Sequence, residues 1–163
     1  MTRYLALACA LLLSACASEP DPTLVELKLV AGKKLNPDQN QRPSPMVVRL
    51  IELNESFTFE NADFFDLYHN DKNTLGPDFV ASEDLVIRPG QVKEFKLRMR
   101  DTSKYLGLIG AYQNIDKAKW HYLITLDPED TTRIEIGVAE DRLVKRVRSR
   151  LTGKYRHEEA AEE

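Results

Sequence analysis

Histidine and carboxylate side chains could hold a metal ion, but their spacing in this sequence does not favour one. The chain has three histidines, His69, His121 and His157. None lies in the His-x-x-x-His or Cys-x-x-Cys spacing from which zinc sites are built. Residues 71–76 begin like a calcium-binding EF-hand loop, but Leu75 and Ser82 stand where carboxylates or amides are required. We therefore expect no metal.

Patterns for nucleophilic or acid–base catalysis are also missing. No serine lies in a Gly-x-Ser-x-Gly elbow, and no phosphate-binding loop or dinucleotide fingerprint occurs. Two carboxylates at a suitable separation could still hydrolyse a glycoside, so a cell-wall hydrolase stays open as a hypothesis. The sequence predicts a protein that is not an enzyme, with no catalytic residue, no cofactor and no small-molecule substrate.

One residue with a specific chemical role lies near the N-terminus, the cysteine Cys16. It follows one positive charge, Arg3, and an uncharged apolar run of ten residues. This run is shorter than the roughly 20 residues that cross a bilayer as a helix, and its layout is that of a signal peptide. The sequence Leu13-Ser14-Ala15-Cys16 resembles the bacterial lipobox. That resemblance implies a signal peptide over residues 1–15 and a covalent lipid on Cys16.

A lipidated Cys16 would hold the rest of the chain at a membrane, because each buried methylene contributes about 0.8 kcal/mol. The residue after Cys16 is Ala17, whereas an aspartate at this position would resemble an inner-membrane retention signal. We therefore expect a periplasm-facing protein on the outer membrane. Residues 16–23 have the composition of an extended tether. Cys9 leaves with the signal peptide, so no pair of cysteines remains for a disulfide.

The composition after residue 15 indicates one domain of 148 residues. Cleavage removes one of the 23 Lys and Arg residues and none of the 26 Asp and Glu residues, which leaves a net charge of −4. This mild acidity argues against a nucleic-acid partner.

Alternating apolar residues predict strands along most of this domain. Val25, Leu27 and Leu29 alternate with charged residues, as in a half-buried strand, whereas residues 46–53 are apolar on both faces and should be more central. Further strands are predicted at residues 84–87, 92–100, 105–112, 120–126 and 133–138. Residues 32–45, between the first two strands, form a loop with three prolines. Because most connections are about 4–6 residues long, this loop is a candidate functional site.

Two local signals predict how the strands are connected. The sequence Arg88-Pro89-Gly90-Gln91 suits a type II turn and predicts a β-hairpin between residues 84–87 and 92–100. A helical insertion is predicted near residues 56–80, with Asn61 as N-cap, an aromatic stripe and a short second helix at 73–79. The stripe consists of Phe64, Phe65 and Tyr68.

These elements indicate a mainly β fold, a β-sandwich of seven or eight strands over residues 24–152 with a helical insertion after the second strand. Residues 153–163 should be a disordered tail. The basic stretch over residues 142–156 could contact anionic lipid heads or form a charge-protected edge strand, and both interpretations stay open.

Several short motifs, in order along the chain, resemble the outer-membrane lipoprotein of the type VI secretion system, the TssJ (VasD/SciN) family. They are Leu35-Asn36-Pro37-Asp38, Arg42-Pro43-Ser44-Pro45-Met46-Val47-Val48-Arg49, Ala62-Asp63-Phe64-Phe65, Arg88-Pro89-Gly90, Gly110-Ala111-Tyr112 and Trp120. Two positions depart from the family pattern. Gln41 stands where glycine is expected, and Gln113 where arginine is frequent.

The resemblance implies a transthyretin-like β-sandwich that is tethered to the outer membrane. It also implies a structural role, in which the domain binds the periplasmic C-terminal region of TssM, an IcmF-like inner-membrane protein, with TssL in the same membrane complex. In the family, the loop between the first two strands makes this contact. Here that loop comprises Lys33, Lys34, Leu35, Asn36, Pro37, Asp38, Gln39, Asn40 and Gln41.

The alternative to a secretion component is a periplasmic ligand-binding module, which would use aromatics such as Tyr112 and Trp120 for a glycan or another small molecule. Within the loop, Leu35 is the lone large apolar residue. Because interface energy concentrates in a few buried anchors, we expect Leu35 to contribute more to partner binding than its polar neighbours.

Overall fold

Two β-sheets packed face to face make up the protein in a computed structural model that describes residues 20–148 and 155–158. The elements are β1 (Leu24–Ala31), β2 (Met46–Leu53), α1 (Phe57–Asn61), α2 (Phe64–Leu75), β3 (Phe79–Ile87), β4 (Val92–Arg98), β5 (Tyr105–Gly110), β6 (His121–Thr125), β7 (Thr131–Val138), β8 (Leu143–Arg148) and β9 (Tyr155–Glu158). One sheet has the order β4-β1-β7-β8-β9 and the other β3-β2-β5-β6. The predicted mainly β sandwich with a helical insertion after the second strand is confirmed.

The main core lies between the two sheets. The alternation predicted for the first strand is confirmed, since Val25, Leu27 and Leu29 are all at most 1% exposed. The strand β1 is the second strand of its sheet, where it pairs antiparallel with the edge strand β4 and parallel with the central strand β7. This position fixes both ends of β1, and with them the start of the loop that follows it.

The strand β2 is buried on both faces, as its sequence predicts. Val48 faces the main core, whereas Ile51 belongs to a second core under the helices, together with Phe59 and Leu67. The ring of Phe59 packs so closely on Gly107 that a Cβ atom there would come within 2.6 Å of it. Glycine is therefore required where α1 crosses β5.

The boundaries of the helices differ from the prediction. Asn61 is not the N-cap of the long helix, because it ends α1, where its Nδ2 donates to the Phe57 carbonyl. Extended backbone follows, and Asp63 is the N-cap of α2. The short second helix predicted at 73–79 has other bounds. The backbone of α2 is kinked at Asn70, where φ is −134° and ψ 36°, and the part after the kink ends at Leu75, where a 310 turn, Gly76–Asp78, follows. Phe65 is 59% exposed and lies outside the packed aromatic stripe.

The predicted β-hairpin around Pro89 is wrong, although its turn is correct. Gly90 has φ 73°, and the Gln91 N–H donates to the Arg88 carbonyl, as in a type II turn. The flanking strands belong to different sheets, because β3 pairs with β2 and β4 pairs with β1. The turn therefore connects the two sheets. Its Gly90 N–H donates to the Gly32 carbonyl, which ties the turn to the end of β1.

Different connections between strands lie at the two ends of the sandwich. The tether end, where β1 begins, carries Thr23 and the turn at residues 126–130, whose Glu129 N–H donates to Thr23 Oγ1. The loop end, where β1 finishes, carries residues 32–45, 111–120 and 139–142. Eight strand residues separate the two ends by roughly 26 Å.

The C-terminal part differs from the predicted tail, because Tyr155–Glu158 form β9 and pair with β8. The predicted signal peptide, Cys16 and the remaining tail lie outside the described residues. No helix within residues 20–148 and 155–158 is long and apolar enough to span a membrane.

Candidate partner-binding site

The loop between β1 and β2 passes from one sheet to the other at the loop end and is anchored in the core. Leu35 is 0% exposed and packs in the main core. Its N–H donates to the Gly32 carbonyl, and its carbonyl accepts from the Ser44 N–H. A partner therefore has no access to the Leu35 side chain in this fold, and the expectation that Leu35 contributes more to partner binding than its polar neighbours stays a prediction. The side chain points into this domain and fixes the loop to it.

Asn36 is the second buried anchor of the loop. Its side chain is almost fully enclosed, its Nδ2 donates to the Pro45 carbonyl, and its Oδ1 accepts from the Gln113 N–H at 2.8 Å. The Asn36 N–H donates to the Glu140 carbonyl. Its φ of 46° is in the left-handed region, which asparagine tolerates better than most residues. Asn36 thus joins three connections of the loop end.

The tip of the loop is shaped by Asp38. Its Oδ1 accepts from the N–H groups of Asn40 and Arg42 at 2.8 and 2.9 Å, and its Oδ2 pairs with the Arg42 guanidinium. The hydrogen bonds from Arg42 hold the pKa of the Asp38 carboxyl below its usual value. Gln41 has φ 61°, a conformation that favours glycine, which the family resemblance led us to expect here.

The nine predicted site residues divide by exposure into three groups. Leu35 and Asn36 are buried, and Pro37 and Asp38 are half-buried. The remaining five are exposed to solvent, and they are Lys33, Lys34, Gln39, Asn40 and Gln41. A partner can reach this third group without any change in the fold.

A groove of about 480 Å³ runs between this loop and the connections that follow β5 and β7. Its floor is Tyr112, whose hydroxyl donates to the Ala139 carbonyl at 3.4 Å. Burial, reinforced by the Asp141 carboxylate, raises the pKa of Tyr112, so the hydroxyl stays neutral. The sequence reasoning missed the other wall of the groove, Gln113 and Asn114, because polar residues in a short connection carry no distinctive pattern.

The histidines and aromatics that could serve other functions are used in packing. His69 stacks on Phe65, and burial against Phe59 and Trp120 lowers the pKa of His121. The side chain of His157 is not described. Tyr112 is buried, and the half-buried Trp120 packs edge to face on Phe64 of α2. Within the described side chains, no three His, Cys, Asp or Glu residues are grouped to hold a metal ion.

The domain is thus a β-sandwich with an anchored polar loop at one end and helices over one sheet. Comparison with family models gives the matching family. The chain belongs to the type VI secretion lipoproteins, described as VasD, EvfM, TssJ and VC_A0113, whose model matches residues 23–141. This family is a structural lipoprotein component of the secretion membrane complex, and its members are not enzymes. The chain is therefore a membrane-associated secretion component, and the cell-wall hydrolase is excluded.

Solved structures agree with this family. The type VI secretion lipoprotein TssJ1 from Pseudomonas aeruginosa matches with a TM-score of 0.73 and 27% identity, over 85% of this chain and 98% of that chain. Serratia marcescens Lip, a membrane-bound component of the same kind of system, matches with a TM-score of 0.71 and 25% identity, over 76% and 96% of the two chains.

A structure described as the type VI secretion protein TssM C-terminal domain from EAEC contains a chain with the same fold. The TM-score is 0.64 at 22% identity, over 76% of this chain and 97% of that chain. A comparison with curated proteins found no match.

Proposed function

We propose that this protein is an outer-membrane lipoprotein, anchored through a lipid on Cys16, whose loop over residues 33–41 binds the periplasmic C-terminal region of a TssM-like inner-membrane protein. TssL belongs to the same complex. Ala17 after the cysteine favours the outer membrane. A structure that carries the TssM name and contains a chain of this fold supports the choice of partner.

The observation that carries the proposal is the position of the loop. Its exposed tip lies at the end of the sandwich opposite the one where the chain enters β1, and the length of β1 separates these two ends by roughly 26 Å. A protein that reaches across the periplasm from the inner membrane would meet this end first. The tip is also held in one shape by Asp38 and Asn36, which reduces the entropy lost on binding.

Changing the tip alone tests this proposal. The triple variant Gln39→Ser, Asn40→Ser and Gln41→Gly keeps the two buried anchors and the left-handed backbone at position 41. We expect its affinity for the TssM C-terminal domain, measured by titration calorimetry, to fall at least tenfold, or about 1.4 kcal/mol. Its thermal stability should be unchanged.

The matched control is at the tether end, where Glu129 also has a positive φ, 58°, in an exposed turn. The variant Pro128→Ser with Glu129→Gly should bind the partner as the parent chain does. Equal affinities for the parent chain and the tip variant would contradict the loop assignment.

A further inference from the structure

The groove at the loop end has two polar walls with the same chemistry. Besides the buried Asn36, four carboxamide side chains line it, Gln39 and Gln41 from the loop and Gln113 and Asn114 from the connection after β5. All four are exposed, and none donates or accepts a side-chain hydrogen bond to another described residue. Each carboxamide offers both donors and an acceptor to a ligand.

The spacing between these walls is fixed by buried contacts. The Asn36 Oδ1 accepts from the Gln113 N–H, which ties the second wall to the loop. The Asn36 N–H also donates to the Glu140 carbonyl, and the hydroxyl of Tyr112 on the floor donates to the Ala139 carbonyl. The backbone frame of the groove is therefore formed before a ligand arrives, and the carboxamide side chains project from this frame.

The charges around the groove are nearly balanced. Two of the four charged lining residues, Asp38 and Asp141, pair with neighbouring arginines at 2.7 and 3.0 Å. The other two, Lys117 and Glu140, have opposite signs. Such a groove does not select a strongly charged ligand. Its buried aromatic floor does not offer a face for a sugar ring to stack on either.

We propose that this groove binds an extended peptide segment of the partner through that segment's main-chain N–H and C=O groups. A peptide group has one donor and one acceptor. The NH2 of a carboxamide can donate to the peptide C=O, and its oxygen can accept from the peptide N–H. The inference rests on the proposed function, which supplies the partner. It adds a second wall, outside residues 33–41, and the chemistry of the bound element.

The test is the double variant Gln113→Ala with Asn114→Ala in the full-length chain, purified in detergent. The matched control is Asn73→Ala, an exposed carboxamide on α2 away from the groove. We expect the double variant to bind the TssM C-terminal domain at least tenfold more weakly than the parent chain and the control. Circular dichroism and thermal unfolding should be the same for all three.

Measuring both affinities at different salt concentrations distinguishes binding through main-chain groups from binding through charges. Raising the salt from about 0.1 M to about 1 M shortens the Debye length from about 10 Å to about 3 Å. Contacts from neutral carboxamides should keep the ratio of the two affinities constant across this range. A ratio that collapses at high salt would overturn the proposal in favour of a charged segment.

The remaining outcomes distinguish the two proposals. If the tip variant binds weakly but the Gln113 and Asn114 variant binds normally, the groove inference is wrong and the proposed function stands. If the parent chain does not bind the TssM C-terminal domain at all, both are wrong. If the groove variant loses binding while the tip variant does not, the groove is the site and the loop assignment is wrong.

Discussion

Replacing Leu35 with alanine should lower the free energy of unfolding by about 2–5 kcal/mol, although this residue lies in a long surface connection. The side chain is completely buried and belongs to the main core between the two sheets. Its removal leaves a cavity that the hydrogen bonds of the loop on either side prevent from collapsing fully. We expect the melting temperature to fall by roughly 2–4 °C for each kcal/mol lost.

Denaturant unfolding of the parent chain and of Leu35→Ala measures this effect. The adjacent Lys34 is exposed, so Lys34→Ala should remain within about 0.5 kcal/mol of the parent and serves as the control. We expect any loss of partner affinity in Leu35→Ala to be indirect, because the buried side chain affects binding only through the conformation of the loop. A variant with normal stability and greatly weakened binding would restore Leu35 to the role of a direct contact.

Replacing Cys16 with serine should move the protein from the outer-membrane fraction to the soluble periplasmic fraction and abolish secretion. Serine has no thiol to acylate, and the acyl chains supply the membrane affinity. The first strand, β1, begins at Leu24, eight residues after Cys16, so we expect the fold and the loop end to form without the lipid. Fractionation of cells, followed by detection of the protein in each fraction, measures the change.

The purified Cys16→Ser chain supplies the control for this experiment. It should unfold at the same denaturant concentration as the lipidated parent and bind the TssM C-terminal domain with the same Kd. Retention of the variant in the membrane fraction would contradict lipid anchoring through this thiol. Loss of folding would assign Cys16 a structural role.

The sequence predicted elements whose signal is local. The alternation in β1 reflects a strand with one buried face, and the apolar faces of β2 reflect burial under helices on one side and the main core on the other. The type II turn at Gly90 was also predicted from the sequence, but a turn sequence does not determine whether the two flanking strands pair with each other. The partner of β4 is β1, more than sixty residues away, and only the whole fold determines that pairing.

The candidate site was predictable in position but not in composition. Length and prolines located the loop, whereas the burial of Leu35 could not be read from a polar segment, because an isolated apolar residue suits a core or a partner equally well. The second wall of the groove depends on the contact between Asn36 and Gln113, which are 77 residues apart. No local pattern marks such a contact.

Hydrogen–deuterium exchange of the full-length chain, with and without the TssM C-terminal domain, tests the binding surface most directly. Peptides that cover residues 33–41 and 111–118 should exchange more slowly in the complex, because both walls of the groove become covered. The turn at residues 126–130, at the tether end, should be unaffected. Protection of that turn or of α1 and α2, with unchanged exchange at residues 33–41, would contradict the assignment of the loop end as the partner-binding site.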